Sequence, residues 1–241
     1  MYRTDLITEA ARQFSVGGAA RTRTLGDVAV TDVRLSKRTA ALVGKPQGRY
    51  ITLECAPDAR GLHAVLRAAL AQLVPPSGRL FAAGLGNPDV VCDSLGALAV
   101  RNIMPQNGRR YSIAAVETDV AARTGVETAA LVRAAAREIG ADCVIAIDAL
   151  SCGEPRRIAR SVQLTNAGIA PASGVGGRRQ ELSERTVGVP VVALGVPMAA
   201  ELSGVTKARG DDGFMVTASD IDCKAALWAE AIAGAIMGFS G

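Results

Sequence analysis

The stretch Asp142-Cys-Val-Ile-Ala-Ile-Asp-Ala-Leu150 decides how this chain is read. Its apolar run, Cys143 to Ile147, is unbroken, contains β-branched residues and stops at a carboxylate, Asp148. A helical pattern from Val126 to Ile139 precedes it and ends at Gly140. A short continuous apolar run arriving straight after a helix predicts a buried central strand of a parallel sheet, because a half-exposed strand would alternate. Such sheets place ligands just outside the carboxyl ends of their strands, so Asp148 falls where chemistry is expected. A second segment has the same design: Arg79-Leu-Phe-Ala-Ala-Gly-Leu-Gly-Asn87, followed by Asp93.

Outward from these two strands the pattern alternates. Asp27–Leu35 and Arg49–Glu54 read as half-buried strands, joined through turn residues Gly44-Lys-Pro-Gln-Gly48. Leu62, Val65, Leu66, Ala69, Leu70 and Leu73 follow helical spacing, with Asp58 as the expected N-cap and Pro75-Pro76 as the stop. A helix is expected over Ser94–Ile103 and strands over Tyr111–Val116, Ile158–Leu164 and Val189–Pro197. Thr217 is the expected cap of a last helix running to about Phe239. Residues 1–26, polar and weakly periodic, read as a terminal segment outside the core. Strands alternating with helices predict an α/β protein with a parallel or mixed sheet covered on both faces. No composition break divides residues 1–241, so one domain is expected.

Composition narrows the function. Of 241 residues, 49% are hydrophobic and 3% aromatic, and no run reaches the ~18 apolar residues of a membrane span. Asp5 lies where a signal peptide would carry its apolar stretch, so a cytoplasmic protein with no membrane partner is expected. The five cysteines show no Cys-x-x-Cys spacing and are odd in number, which fits free thiols. Arg156, Arg157 and Arg160, with Arg178 and Arg179, could offer a phosphate surface or be solvated charge. Few aromatics argue against stacking on single-stranded nucleic acid, and no nucleic-acid partner is expected.

With the single histidine His63 on an amphipathic helix, a Ser-His-Asp triad or a histidine-rich zinc site has little to build on. No Gly-x-Ser-x-Gly elbow is found, and Gly84-Leu-Gly86-Asn87 lacks the Gly-Lys-Ser/Thr ending of a phosphate loop. Those glycines read either as a tight turn or as a place where a peptide or carboxylate approaches the backbone. Asp93 suits a helix start and Asp148 a turn, yet together they offer more. Two carboxylates held close share a proton, so one can act as base on water while the other donates to a scissile carbonyl. Glu127, at a helix start, is a possible third carboxylate. The Gly-rich loop Asn166–Gly177 follows a strand and is placed to wall a substrate cleft.

In order along nearly the whole chain, short motifs resemble the germination protease of spore-forming bacteria. They are Arg3-Thr-Asp-Leu with Glu9-Ala10, Gly44-Lys-Pro with Gly48-Arg-Tyr-Ile-Thr-Leu-Glu54, and Gly84-Leu-Gly-Asn with Asp93-Ser-Leu-Gly. Thr124-Gly-Val-Glu-Thr128, Val144–Leu150, Gly168-Ile with Pro171, Ser173-Gly-Val-Gly176, Gly188–Pro197 and Met215-Val-Thr217 continue the match. The resemblance implies a three-layer α/β sandwich with a mostly parallel central sheet, of the phosphorylase/hydrolase-like type shared with hydrogenase-maturation peptidases. It implies an aspartic endopeptidase with Asp93 and Asp148 as the catalytic pair and no cofactor or metal. It also implies small acid-soluble spore proteins as substrate, a homotetramer, and a place in the forespore or spore core.

The resemblance further implies a zymogen that removes its own N-terminus, here between Asp5 and Leu6, leaving residues 1–5 as a short propeptide. Gly84, Gly86, Asn87, Glu127, Ser173 and Gly174 are expected along the substrate cleft. The chain departs from the family at Asn166, Ala170 and Ala172, where Asp, His and Gly are usual, and at Cys92, where Pro is usual; the stretch between Pro197 and Met215 is shorter. Two other readings stand beside this one: a nickel-sensing hydrogenase-maturation type of peptidase, and a catalytically weakened peptide-binding relative.

Overall fold

The computed structural model describes residues 4–14, 20–170, 180–202 and 214–240. In chain order the elements are α1 (Ile7–Gln13), β1 (Ala20–Leu25), β2 (Val28–Leu35), α2 (Lys37–Val43), β3 (Gly48–Glu54), α3 (Leu62–Leu70), β4 (Gly78–Gly84) and α4 (Leu95–Arg101). There follow β5 (Gln106–Asn107), β6 (Tyr111–Glu117), α5 (Ala121–Thr124), α6 (Thr128–Glu138), β7 (Cys143–Cys152) and β8 (Ser161–Thr165). The last are α7 (Glu184–Val187), β9 (Val191–Glu201), β10 (Met215–Val216) and α8 (Ile221–Met237).

The strands form one sheet in the order β1-β2-β3-β8-β9-β7-β4-β6-β5, with β10 beside β9. The pairs β9–β7, β7–β4 and β4–β6 are parallel. The pairs β1–β2, β2–β3, β3–β8, β8–β9 and β5–β6 are antiparallel. The α/β class is as expected, but the sheet is mixed: four central strands are parallel and a four-stranded wing on one side is antiparallel. Chain length between strands decides this. The parallel steps carry crossover helices α4 and α6, whereas β1 and β2 are joined by a tight hairpin in which Leu25 faces Val28.

The unbroken apolar run is covered on both faces. Cys143, Ile145 and Ile147 pack into the cluster shared with α3, α4 and α8, and Val144 and Ala146 into the cluster with α6 and α7. This side-to-side alternation is the period of a strand between two helical layers. Trp228 of α8 is fully buried, and its indole N–H donates to the Ala159 carbonyl at 3.0 Å, satisfying the one polar atom of a large apolar ring.

Several expectations are corrected. Part of the N-terminal segment belongs to the core: Leu6, Ile7 and Glu9 are fully buried, and Ile7 and Ala10 pack on Val33, Leu35 and Tyr50 of the wing, while β1 is exposed along its length. The periodicity of α1 was too short to register against the polar residues around it. A helix absent from the sequence reading, α2, is capped by Ser36, which accepts from the Thr39 N–H. The helix expected from Asp58 begins only after Gly61, and the last helix takes Asp220 at its start, while Thr217 donates instead to the Met198 carbonyl at 2.6 Å. The strand expected from Ile158 begins at Ser161, because Ala159 has a positive φ of 51° that no strand residue adopts.

Candidate active site

Asp148 is buried, 4% exposed, and lies inside β7 rather than at its end, since the strand runs on to Cys152. What ends beside it is the neighbouring strand. The β4–β7 ladder closes with Gly84 opposite Ile147, and one further bond runs from the Leu85 N–H to the Ile147 carbonyl at 2.8 Å. From Leu85 onward the chain turns away, so the position beside Asp148 is left to side chains. On the other flank Asp148 faces Gly195 of β9. Its Oδ1 accepts from the Ala149 N–H at 3.0 Å.

The turn leaving β4 carries the second carboxylate. Gly86 has φ +93°, and a methyl there would overlap the Asp93 carbonyl, so glycine is required by both conformation and space. Residues 91–93 form a single 3-10 turn in which the Asp93 N–H donates to the Val90 carbonyl at 2.7 Å. The Asn87 N–H donates to Asp93 Oδ2 at 2.7 Å, folding the carboxylate back over the glycines. Arg123 of α5 braces this turn from outside, donating to Asn87 Oδ1 at 2.9 Å and pairing with Asp89 and Asp119.

Immediately after Asp93, Gly96 sets α4 flush on the strand ends. A side chain at Gly96 would collide with the carbonyl oxygens of Ile147 and Leu85. The same helix therefore fixes the height of both carboxylate-bearing segments.

Asp93 and Asp148 line one cavity of about 450 Å³, together with Leu85, Gly86, Cys92 and Gly195. Burial, then the neighbouring Asp93 charge, pushes the Cys92 thiol up, so it is protonated at neutral pH and a poor nucleophile. Tyr50, also on the cavity, is raised by burial, and its hydroxyl donates to the Pro46 carbonyl at 2.7 Å.

The other expected cleft residues fall in different places. Gly86 lines the cavity. Gly84 lies behind it, where a side chain would strike the Gly96 carbonyl of α4, so its role is close helix-on-strand packing. Asn87 supports Asp93 from the turn. Glu127 is exposed at the start of α6 and is not on the cavity, which is reached by Thr128 instead. Gly168, Ile169 and Ala170 of the Gly-rich loop line the cavity, while Ser173 and Gly174 lie outside the described residues. His63 is exposed on α3, its ring near Gly234 of α8. Among the described residues no three His, Cys, Asp or Glu side chains gather to hold a metal, and no helix is long and apolar enough to cross a membrane.

The segment around Asp5–Leu6 also enters the cavity, through Asp5. The Asp5 N–H donates to the Ser151 carbonyl at 3.0 Å, and the Asp5 carboxylate accepts from the Ser151 N–H at 2.8 Å and its hydroxyl at 2.9 Å. The Gln163 side-chain amide donates to the Asp5 carbonyl at 3.1 Å and accepts from the Ile7 N–H at 2.6 Å, spanning the Asp5–Leu6 peptide. Beyond it Glu9 accepts from the Gly153 and Glu154 N–H groups at 2.7 and 3.1 Å and pairs with buried Arg157. Sequence reading missed Lys45, Ser151 and Gln163. Lys45 was visible only as part of a turn motif, and the other two carry no signal of their own.

A family profile described as germination protease matches residues 7–215. The chain is 31% identical over 235 residues to the germination protease of Bacillus velezensis, covering 83% of this chain and 64% of that protein. It is 34% identical over 226 residues to the germination protease of Caldanaerobacter subterraneus subsp. tengcongensis, covering 83% and 69%. It thus spans just under two thirds of the length of the Bacillus velezensis protein. Among solved structures, a NiFe hydrogenase maturation protease from Thermococcus kodakarensis KOD1 is similar over 70% of this chain and 99% of its own, with 16% identity and a TM-score of 0.44.

Proposed function

The chain belongs to the germination protease family, and we propose that it is an aspartic-type endopeptidase acting on small acid-soluble spore proteins, with Asp93 and Asp148 as its catalytic pair. The observation that carries the reading is that both carboxylates line one cavity into which the chain's own Asp5 is drawn. In the proposed mechanism the two carboxylates share one proton.

The ionised member takes a proton from water as the water oxygen bonds to the scissile carbonyl carbon. The protonated member donates to the carbonyl oxygen. Collapse of the gem-diol breaks the C–N bond as the first acid gives its proton to the leaving nitrogen, while a diol hydroxyl returns its proton to the second acid, so the pair again holds one proton. Gly86 and Gly195 keep backbone, rather than side chains, around the two acids, which leaves room for a peptide. The position of Asp5 supports the further reading that the Asp5–Leu6 bond is the chain's own processing site.

The test is incubation of the purified protein with a small acid-soluble spore protein, alongside Asp93→Asn and Asp148→Asn. Cleavage after an acid, lost in both variants, is expected, and N-terminal sequencing of the wild type is expected to find Leu6 first. Undiminished cleavage in both variants would remove the pair from the mechanism. Binding of the spore protein without cleavage by the wild type would favour the peptide-binding reading.

A further inference from the structure

Asp5 brings a carboxylate into the cavity of Asp93 and Asp148, and the protein meets it with donors from two segments distant in sequence. Ser151 supplies its N–H and its hydroxyl to Asp5 Oδ2, and the Lys45 ammonium lies 3.7 Å from Oδ1. The pair is largely sheltered, the Asp5 side chain being 15% exposed and that of Lys45 21%. Lys45 reaches this point because Gly44 ends α2 in a left-handed turn, and Ser151 because the β7–β9 register shifts between Leu150 and Ser151. Buried Gln163 then holds the backbone on both sides of the Asp5–Leu6 bond.

We propose that Lys45 and Ser151 form an acid-selecting subsite next to the catalytic pair, that Gln163 aligns the peptide backbone there, and that Asp5 is the subsite's intramolecular occupant. The inference rests on the protease reading and names the groups that choose its substrates. The Asp5–Leu6 cut releases what precedes Leu6. The rest stays: Leu6 and Ile7 are fully buried, and Glu9 is clamped by Gly153, Glu154 and Arg157. The vacated part is therefore the Asp5 receptor, open to a carboxylate of an incoming chain.

The subsite reads charge and hydrogen-bond polarity together. Two hydrogen-bond donors and one cation converge on one carboxylate. An asparagine would bring two donors of its own to a place that offers donors, leaving groups unpaired. A lysine would meet Lys45 as a like charge in a sheltered site. Both are rejected by repulsion or unmet hydrogen bonds, which discriminate more strongly than size does.

The test has a binding arm and a cleavage arm. For binding, protein beginning at Leu6, the form the cut leaves, and carrying Asp93→Asn to stop turnover, is titrated with the blocked tripeptide acetyl-Arg-Thr-Asp-amide and its Asn and Lys counterparts. The Asp peptide is expected to bind at least tenfold tighter than either. Added Lys45→Glu is expected to shift the Asp-to-Lys preference at least a hundredfold towards Lys, Ser151→Ala to weaken the Asp peptide severalfold, and Lys45→Arg to keep the preference.

For cleavage, kcat/KM for spore-protein peptides with Asp, Asn or Lys before the bond is expected to follow the same order. An Asp-to-Lys ratio unchanged within twofold by both Lys45→Glu and Ser151→Ala, in variants with wild-type circular dichroism, overturns the subsite. The two readings separate cleanly. Lys45-dependent binding with no cleavage by the wild type ends the protease reading and keeps the subsite. Cleavage with a Lys45-independent preference does the reverse.

Discussion

Strands β6, β4, β7 and β9 run parallel, strands β8, β3, β2 and β1 run antiparallel, and the cavity lies across the seam where β9 meets β8. From the parallel side come Asp148, the turn carrying Asp93, and Gly195. From the antiparallel side come Tyr50, Gln163, Thr165 and, from the loop ahead of β3, Lys45. The parallel side supplies both acids and Ser151, the other a cation and further neutral hydrogen-bonding groups. The difference follows from geometry. Parallel strands all end at one edge, so their turns gather there and bring reactive groups together. Antiparallel strands pass through that edge in both directions and present side chains from their middles, which suits them to holding an extended peptide. The proposed chemistry thus lies on the parallel side, while the grip is shared between Ser151 of β7 and the groups of the antiparallel side.

Substitutions can break this division or sharpen it. The largest effect is expected at the parallel side's acid. Asp148→Asn should lower kcat/KM about 1,000-fold, or ~4 kcal/mol of barrier, with melting temperature little changed; retained activity would move the chemistry elsewhere. Next is the grip. Glu9→Ala leaves Arg157 buried without that carboxylate and frees the Gly153 and Glu154 N–H groups, and should cost about 3 kcal/mol in a urea melt. A loss below about 1 kcal/mol would show that α1 is not clamped through this residue.

Gly96→Ala tests whether the two acids depend on α4. A methyl there strikes the Leu85 and Ile147 carbonyls, and should cost about 2 kcal/mol while reducing activity more than it reduces substrate binding.

The smallest effect is expected far out on the wing, at Arg49–Asp32, paired at 2.7 Å. The Arg49 hydrogen bond, against a smaller opposing effect of burial, holds the Asp32 carboxyl below its usual value. A carboxyl lowered in the folded state stabilises above its unfolded pKa of about 3.9 and loses that contribution as pH falls through the folded value. Arg49→Gln should therefore destabilise by about 0.5–1 kcal/mol at neutral pH, given exposure to solvent, and by progressively less as pH falls below about 4. It should leave catalysis unchanged. A pH-independent difference would assign the effect to the Gln72 contact of Arg49 instead.

How far the sequence could be read depended on the kind of order involved. The central strands were legible because burial on both faces leaves an unbroken apolar run, as in Cys143–Ile147. Helices α4, α6 and α8 were legible from their spacing, with ends displaced by a few residues. Helix α1 was not: like α4 it has seven residues, but it lies among polar residues with no strand-to-helix turn ahead of it. Glu127 and Asn87 were plausible by type, yet one is exposed at the mouth of a helix and the other serves as a brace. The short run of matching motifs carried Asp5 into view, but nothing in those motifs marked Lys45, Ser151 or Gln163 as its receptors.

By itself the sequence determined the class of fold, the central strand and the two aspartates beside its turns, because each is written in local pattern and in acids placed where apolar strands give out. Tertiary structure alone decided that β7 continues past Asp148 while β4 stops. It also decided that the wing is antiparallel, and that residues 5, 45, 151 and 163 meet in one place. Two of those contacts span more than a hundred residues of chain, from Asp5 to Ser151 and from Asp5 to Gln163. Long-range closure of that kind is set by which faces must be buried together, a property of the packed whole that no window of sequence contains.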